Sequence, residues 1–247
     1  MPAISYQMYG SRNWALPETF AMLSAAGFTE VEGYGGIYGD LDGLQACLHE
    51  NKLRMTTGHF DLSVIVNDPQ RVIDVANRFG MEAVFAPYLT DDARPSDLAG
   101  WQAFANDLVE AGKPLQAAGL TFGWHNHDFE LLDLGAGVTA LDVIAQASPD
   151  LKLELDIGWV IRAGQDPVAT IHKYANQISV VHIKDIAAQG AGLDEDGWSD
   201  VGHGVVDWAP IHAALQAAGV GRYVIEHDNP NDHHRFATRS LDSVTAL

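Results

Sequence analysis

Residues 151–185 read LKLELDIGWVIRAGQDPVATIHKYANQISVVHIKD, and this stretch decides the fold. It opens with a short apolar run that ends in acidic side chains, and it closes with a β-branched run that ends in polar side chains. Apolar strands that are joined by a longer helical segment are typical of parallel β-sheets. The stretch therefore predicts a strand–helix–strand unit whose polar side chains lie at the carboxyl ends of both strands.

The same pattern recurs along the chain. Candidate strands begin near Ile4, Phe28, Arg54, Ala83, Thr121, Leu151, Ile178 and Tyr223. Windows with apolar residues at helical spacing lie between them and begin at Leu41, Val72, Trp101 and Ile211. Asp68-Pro69 and Ser96 have the residue types of helix starts. Eight alternating units in 247 residues predict an α/β fold, a single (β/α)8 TIM barrel domain over residues 1–247.

An open, doubly wound sheet is the competing architecture. Such a sheet normally carries a glycine-rich phosphate-binding turn after its first strand. Here the first strand leads into YGSRNW at residues 9–14, which lacks that turn. The closed barrel is therefore favoured.

Composition narrows the choice of partners and compartment. The chain has 14 Lys and Arg against 33 Asp and Glu, a formal net charge of −19, which disfavours nucleic acid and anionic membranes. We find no apolar run of about 20 residues and no secretion signal in MPAISYQMYG. The single cysteine, Cys47, excludes an internal disulfide, so we expect a cytoplasmic protein, although a periplasmic protein can also lack disulfides. A homo-oligomer is compatible with the sequence.

Polar side chains concentrate where the later strands end. The ends of strands five to eight carry His125 and His127, Glu154 and Asp156, His182 and Lys184, and Glu226 and Asp228. Residues two apart share a face of a strand, so four adjacent strands can each direct an imidazole or a carboxylate into the barrel mouth. This mixed shell suits Mn²⁺, Co²⁺, Zn²⁺ or Fe²⁺, and Mg²⁺ if water completes it. Taken singly, Asp156 as a helix cap and Glu226 as a partner of Lys184 are structural alternatives.

These motifs resemble the xylose-isomerase-like TIM barrel superfamily, often described as sugar phosphate isomerases and epimerases. The likeness spans nearly the whole chain, from ISYQMYGSRN through GWHNHDFE, LELDIGW and HIKD to VGHGVVDW. The resemblance implies a divalent metal held by residues on strands five to eight. Asp156, His182 and Glu226 match the family pattern, whereas His125 or His127 replaces the usual glutamate on the fifth strand. Inosose dehydratases are similar in carrying a histidine cluster there.

The resemblance implies an enzyme that removes a proton next to the carbonyl group of a ketosugar or polyol ketone. We expect the metal to polarise the carbonyl and stabilise the enediolate, Glu226 to take the proton, and Lys184 or His127 to supply one. Isomerisation or epimerisation is the expected outcome. Dehydration of an inosose or 3-keto-sugar is the alternative, because both reactions share the enediolate.

Six further residues are candidates for contact with the substrate. They are Trp14, Phe60 and Trp159, whose aromatic faces could stack on a sugar ring, and His59, Glu130 and His203. Packing at the barrel rim is the alternative for the aromatic residues, and a simple turn is the alternative for the segment Gly202-His203-Gly204. The arginines are scattered, which favours an unphosphorylated substrate.

Two other functional classes are open. Metal-dependent endonucleases that act on abasic DNA occur in the same superfamily, but the charge of −19 disfavours a DNA substrate. A non-catalytic sugar-binding barrel would keep the shape without the chemistry.

Overall fold

The computed structural model describes residues 2–247, and its central feature is a closed barrel of parallel strands. The strands are β1 Ala3–Gln7, β2 Glu30–Gly33, β3 Arg54–His59, β4 Ala83–Ala86, β5 Thr121–His125, β6 Lys152–Asp156, β7 Ile178–Ile183 and β8 Arg222–Ile225. Each strand pairs with its neighbours in chain order, and β8 closes the barrel against β1. The predicted (β/α)8 TIM barrel is confirmed.

Helices surround the barrel. They are α1 Leu16–Ala26, α2 Leu41–Glu50, α3 Leu62–Asn67, α4 Pro69–Phe79, α5 Leu98–Ala117, α6 Ala140–Ala147, α7 Ile157–Arg162, α8 Pro167–Tyr174, α9 Trp208–Ala217 and α10 His233–Thr245. The four windows with helical spacing lie in α2, α4, α5 and α9. Among residues 2–247, no helix is long and apolar enough to span a bilayer.

The predicted helix starts had different outcomes. Asp68 caps α4 as expected, because its side chain accepts a hydrogen bond from the backbone N–H of Arg71. The expectation that Ser96 caps α5 was wrong. Asp97 caps that helix instead and accepts from the backbone N–H of Gly100 at 2.8 Å, because the helix begins one residue later than expected.

The interior of the barrel changes from apolar to polar along the strands. A small buried cluster of Ala83, Phe85, Val180 and Val224 is separate from the larger core between strands and helices. His182 lies two residues beyond Val180 on β7, and Glu226 lies two residues beyond Val224, directly after β8; both are buried. Because alternate residues share a face, the apolar cluster lies beneath a polar layer at the carboxyl ends of the strands.

The loop after β7 is organised by the carboxylate of Asp185. Residues Asp185–Ile186 and Trp198–Ser199 form a short antiparallel ribbon that we did not predict. The Asp185 side chain accepts hydrogen bonds from the backbone N–H of Gly202 and from Nε1 of Trp208. A Cβ atom on Gly204 would lie 2.2 Å from Oδ1 of Asp185, so only glycine fits there. The Gly202–Gly204 segment is therefore a turn around Asp185.

Candidate active site

A cavity of about 570 Å³ opens at the carboxyl ends of the barrel strands. Its wall includes residues from strand ends and from the loops that follow them, among them Tyr9, Tyr34, His59, Tyr88, His125, His127, Trp159, Glu226 and Asp228. Barrels of this type carry their active sites at this end. The cavity is therefore the candidate active site.

Four side chains from adjacent strands converge beside the cavity. His125, Asp156, His182 and Glu226, at the ends of β5 to β8, each offer one ligand atom, and these atoms all lie within 4.8 Å of one another. Nδ1 of His182 lies 2.8 Å from Oε2 of Glu226 and 3.9 Å from Oδ2 of Asp156. The direct pairing of Asp156 with His182 across β6 and β7 brings these side chains together.

Two atoms of this cluster lack hydrogen-bond partners. Oδ2 of Asp156 and Nδ1 of His125 are both buried without a partner within the described part of the chain. The other oxygen of Asp156 caps α7 and accepts from the backbone N–H of Trp159 at 2.8 Å. Burial raises the pKa of Asp156 well above its usual value, although Lys184 opposes the rise. Since an unpaired buried carboxylate oxygen is costly, the donor set fits a divalent cation.

Lys184 lies at the centre of a group of carboxylates. Its Nζ lies 2.8 Å from Oδ1 of Asp228 and 3.3 Å from Oε2 of Glu226, and the side chain is fully buried. Burial alone would lower the pKa of Lys184, but the carboxylates of Asp228, Glu226 and Asp156 raise it. Burial also opposes ionisation of Glu226, yet Lys184 and His182 hold the pKa of that carboxyl well below its usual range. The site therefore contains a charged ammonium beside an ionised carboxylate.

Three other predicted site residues line the cavity. His59 and His127 form part of its wall, and so does Trp159, whose ring packs edge-on against Trp198. Burial lowers the pKa of His127 well below its usual value, so this imidazole is neutral. A neutral imidazole can accept a proton at a ring nitrogen.

Four predicted substrate-contact residues do not form part of the cavity wall. The Trp14 ring stacks on His233 at 4.1 Å, outside the cavity wall. Phe60 is buried and stacks on Tyr38 at 4.5 Å, because it points away from the barrel mouth. His203 is exposed in the turn around Asp185.

Glu130 is the fourth of these residues. It is fully buried and accepts hydrogen bonds from Nε1 of Trp124 at 2.8 Å and from the backbone N–H of His127 at 2.9 Å. It therefore supports the loop that carries His127 and does not line the cavity.

Several cavity residues were not assigned from the sequence. The rings of Tyr9 and Tyr34 meet edge-on at 5.5 Å, and the Arg12 guanidinium lies 4.2 Å above the Tyr9 ring. Tyr88 lies on the wall beside His127, with ring centroids 5.0 Å apart. These tyrosines could have been identified from the sequence, because each lies within two residues of the end of the first, second or fourth strand. Asp228 was noted at a strand end without a role.

Two buried glutamates lie one layer deeper than the cluster. Glu32 of β2 and Glu154 of β6 are both fully buried. Glu154 is paired with His59, and Glu32 with His182. The sequence signal for Glu154 was its position two residues before Asp156 on the same strand face.

The amino-acid sequence is similar to those of known proteins. A family profile described as Xylose isomerase-like TIM barrel matches residues 20–244, which contain β2 to β8. An inosose dehydratase of Lacticaseibacillus casei is 26% identical over 182 residues, which are 64% of this chain and 57% of that protein. An inosose dehydratase of Clostridium beijerinckii is 29% identical over 132 residues, which are 47% of this chain and 42% of that protein. The chain thus spans about half the length of these curated relatives.

Solved structures share the barrel along its whole length. A sugar phosphate isomerase/epimerase from Parabacteroides distasonis superposes with a TM-score of 0.82 at 19% identity, over 100% of this chain and 94% of that one. The IOLI protein with a bound zinc atom superposes with a TM-score of 0.79 at 14% identity, over 100% of this chain and 97% of that one. At these identities the likeness concerns the fold.

Proposed function

The chain belongs to the xylose isomerase-like TIM barrel family, and on that premise we propose that it is a divalent-metal-dependent enzyme acting on a ketosugar or polyol ketone. In the proposed reaction a proton leaves the carbon next to the carbonyl group. The observation that carries this proposal is the convergence of Glu226, held ionised beside Lys184, with His125, Asp156 and His182 at one side of the cavity.

The four converging residues would hold the cation. Two imidazoles and two carboxylates are donors that suit Zn²⁺, Mn²⁺, Co²⁺ or Fe²⁺, and the unpaired Oδ2 of Asp156 supports this assignment. The zinc atom of the structurally similar IOLI protein supports a divalent ion. When bound, such an ion would act as a Lewis acid that polarises a carbonyl group.

Glu226 is the proposed base. Its Oε2 faces His182 and Lys184, which leaves Oε1 as the oxygen that accepts the substrate proton. The charged ammonium of Lys184 lies next to this carboxylate and stabilises negative charge that develops on a substrate oxygen. Removing such a base typically lowers the rate by about 10²–10⁴-fold.

Two outcomes can follow proton removal. In dehydration a hydroxyl group leaves the next carbon, takes up a proton and departs as water, so that a double bond forms beside the carbonyl. The curated relatives, which are inosose dehydratases, support this outcome. The second candidate is isomerisation or epimerisation, in which a proton returns to carbon. Glu226 can return the proton that it took, and the neutral His127 on the cavity wall can accept the proton of a substrate hydroxyl group.

The charges of the wall favour an unphosphorylated substrate. Four carboxylates line the cavity, those of Asp61, Asp196, Glu226 and Asp228, and Arg12 is the cationic residue of the same wall. A phosphate dianion would meet net repulsion there. The exposed ring faces of Trp159 and the wall tyrosines suit the apolar face of a sugar or cyclitol ring.

Metal analysis and solvent-exchange experiments test the proposal. Chelator-stripped protein reloaded with Mn²⁺ or Zn²⁺ is incubated in D2O with a panel of ketosugars and inososes. We expect deuterium in recovered substrate or isomer if the proton returns to carbon, and absorbance of a conjugated enone if water is lost. Glu226→Gln should lower either signal at least 10²-fold, whereas Glu110→Gln on the exposed face of α5 serves as a matched control. A protein that binds no divalent metal, or a Glu226→Gln variant with full turnover, contradicts the proposal.

A further inference from the structure

The two ring nitrogens of His182 face different layers of the barrel. Nδ1 faces the cluster and lies 2.8 Å from Oε2 of Glu226. Nε2 faces the deeper layer, where it lies 2.7 Å from Oε1 of Glu32 and 3.2 Å from Oε2 of Glu154. An imidazole can bind a cation through one nitrogen only while the other nitrogen keeps its proton and donates it. The deeper carboxylates therefore determine which nitrogen of His182 is free for a cation.

One oxygen of Glu154 reaches three imidazoles. Its Oε2 lies 2.5 Å from Nε2 of His59, 3.2 Å from Nε2 of His182 and 3.3 Å from Nδ1 of His125. Two of these histidines, His125 and His182, are among the four proposed metal-holding residues. Glu154 thus contacts the inner edge of both imidazoles, on the side away from the cavity.

Strand alternation places both glutamates in this layer. Glu154 lies two residues before Asp156 on the same face of β6. The register of the neighbouring strand shifts beside each glutamate, with Thr56 of β3 and Ser179 of β7 as the extra residues. Gln7 of β1 supports the arrangement, because its side-chain amide donates to Oε1 of Glu32 at 2.7 Å.

Histidines surround the carboxylate of Glu154. Its Oε2 accepts a hydrogen bond from His59 and also faces His182 and His125. Moving a buried carboxylate out of such surroundings is costly, because it would leave buried polar groups unpaired. This makes the deeper layer a stiff support for the ligand layer above it.

We propose that Glu154, together with Glu32, is a positioning residue for the metal centre. It holds the inner nitrogens of His125 and His182, so that their outer nitrogens face the cation. This inference rests on the proposed function, because it assumes that a divalent ion binds the cluster.

A second cation in the deeper layer is the competing explanation. His59, His125, Glu154 and His182 also offer ligand atoms within 4.8 Å of one another. One ring nitrogen of each of these three histidines already lies within 3.4 Å of a carboxylate oxygen of Glu154 or Glu32. Oε1 of Glu154 and Oε2 of Glu32 nevertheless lack hydrogen-bond partners within the described residues. We assign the deeper group as a support for the first site, and the number of bound ions tests this assignment against a second cation.

The test compares Glu154→Gln with a matched control. Glu30→Gln removes another buried carboxylate, which lies at the opposite end of β2 and pairs with Arg54 and Arg222. Metal-free full-length protein is titrated with Zn²⁺ and with Co²⁺, and affinity, stoichiometry and the visible absorption of Co²⁺ are measured. We expect one ion per chain, a 10–100-fold loss of affinity in Glu154→Gln with an altered Co²⁺ spectrum, and unchanged binding in Glu30→Gln.

A second measurement separates positioning from general destabilisation. The unfolding free energy of each variant is determined with and without Zn²⁺, since a bound ion adds stability that depends on its dissociation constant. The metal-dependent increment should be smaller in Glu154→Gln than in the unsubstituted protein, whereas a merely structural residue would lower stability equally in both conditions. Glu32→Gln replaces this variant if Glu154→Gln does not fold. Glu32 contacts His182 but none of the other three residues of the cluster. We expect Glu32→Gln to weaken Zn²⁺ binding as well.

The outcomes distinguish the two proposals. Unchanged affinity in Glu154→Gln and in Glu32→Gln overturns the positioning role but leaves the proposed function intact. Two ions in the unsubstituted protein and one in Glu154→Gln would also overturn it, in favour of a second cation site. Absence of metal binding in the unsubstituted protein contradicts the proposed function itself.

Discussion

Replacing Lys184 by methionine should destabilise the protein strongly. The side chain is fully buried, and its Nζ neutralises Asp228 at 2.8 Å and Glu226 at 3.3 Å, with Asp156 at 3.9 Å. Methionine keeps most of the packing against Trp198 and Trp159 but removes the charge. Breaking a buried ion pair from one side typically costs about 3–5 kcal/mol. Asp228 is 24% exposed and can be partly rehydrated, so we expect the lower part of that range.

Urea unfolding at pH 7 in the presence of a chelator measures this loss. Lys173→Met is the matched control, because Lys173 pairs with Asp142 at 2.6 Å but is half exposed. Surface pairs of this kind contribute about 0–1 kcal/mol. Carboxylates that lose their cation take up protons more readily, so the deficit of Lys184→Met should be smaller at pH 5 than at pH 7. Equal losses in the two variants at pH 7 would refute the argument from buried charge.

Two further predictions concern parts of the fold that support the site. Burial raises the pKa of Glu130 to about 7 although Trp124 and His127 donate to it, so the folded state binds the extra proton and stability falls as the pH rises from about 4.5 to about 7. Relative to Glu130→Gln, the unfolding free energy should fall by up to about 3 kcal/mol over that window, and parallel pH profiles would contradict this. Gly112→Ala should cost about 1–3 kcal/mol in thermal or urea unfolding, because the new Cβ would lie 2.2 Å from the Phe122 ring. Helix propensity alone would make Gly112→Ala more stable than the unsubstituted protein. That result would contradict the packing argument.

Periodicity explains why the strands and the ligand layer could be predicted. All eight predicted strand starts lie within two residues of the observed starts of the barrel strands, and only the short ribbon after β7 was not anticipated among the described residues. Asp156, His182 and Glu226 could be placed on inward faces because alternate residues of a strand share a face. Local pattern was sufficient for these residues, since each lies on or directly after a regular strand.

Residues beyond the strand ends could not be predicted in the same way. Trp14 and His203 lie in loops, where no period relates sequence position to side-chain direction. Trp14 found a partner in His233, far along the chain, and Glu130 turned inward to bind the His127 backbone. Such contacts depend on where other elements pack, so composition and spacing do not reveal them.

The amino-acid sequence alone determined the alternation of strands and helices and the chemistry at each strand end, because both depend on neighbours a few residues apart. Only the tertiary structure decided which strand ends meet across the barrel. Glu32 and His182 are 150 residues apart in the sequence, yet their side chains lie 2.7 Å from each other. Closure and register are set by the packing of all the strands together, and no single segment encodes them.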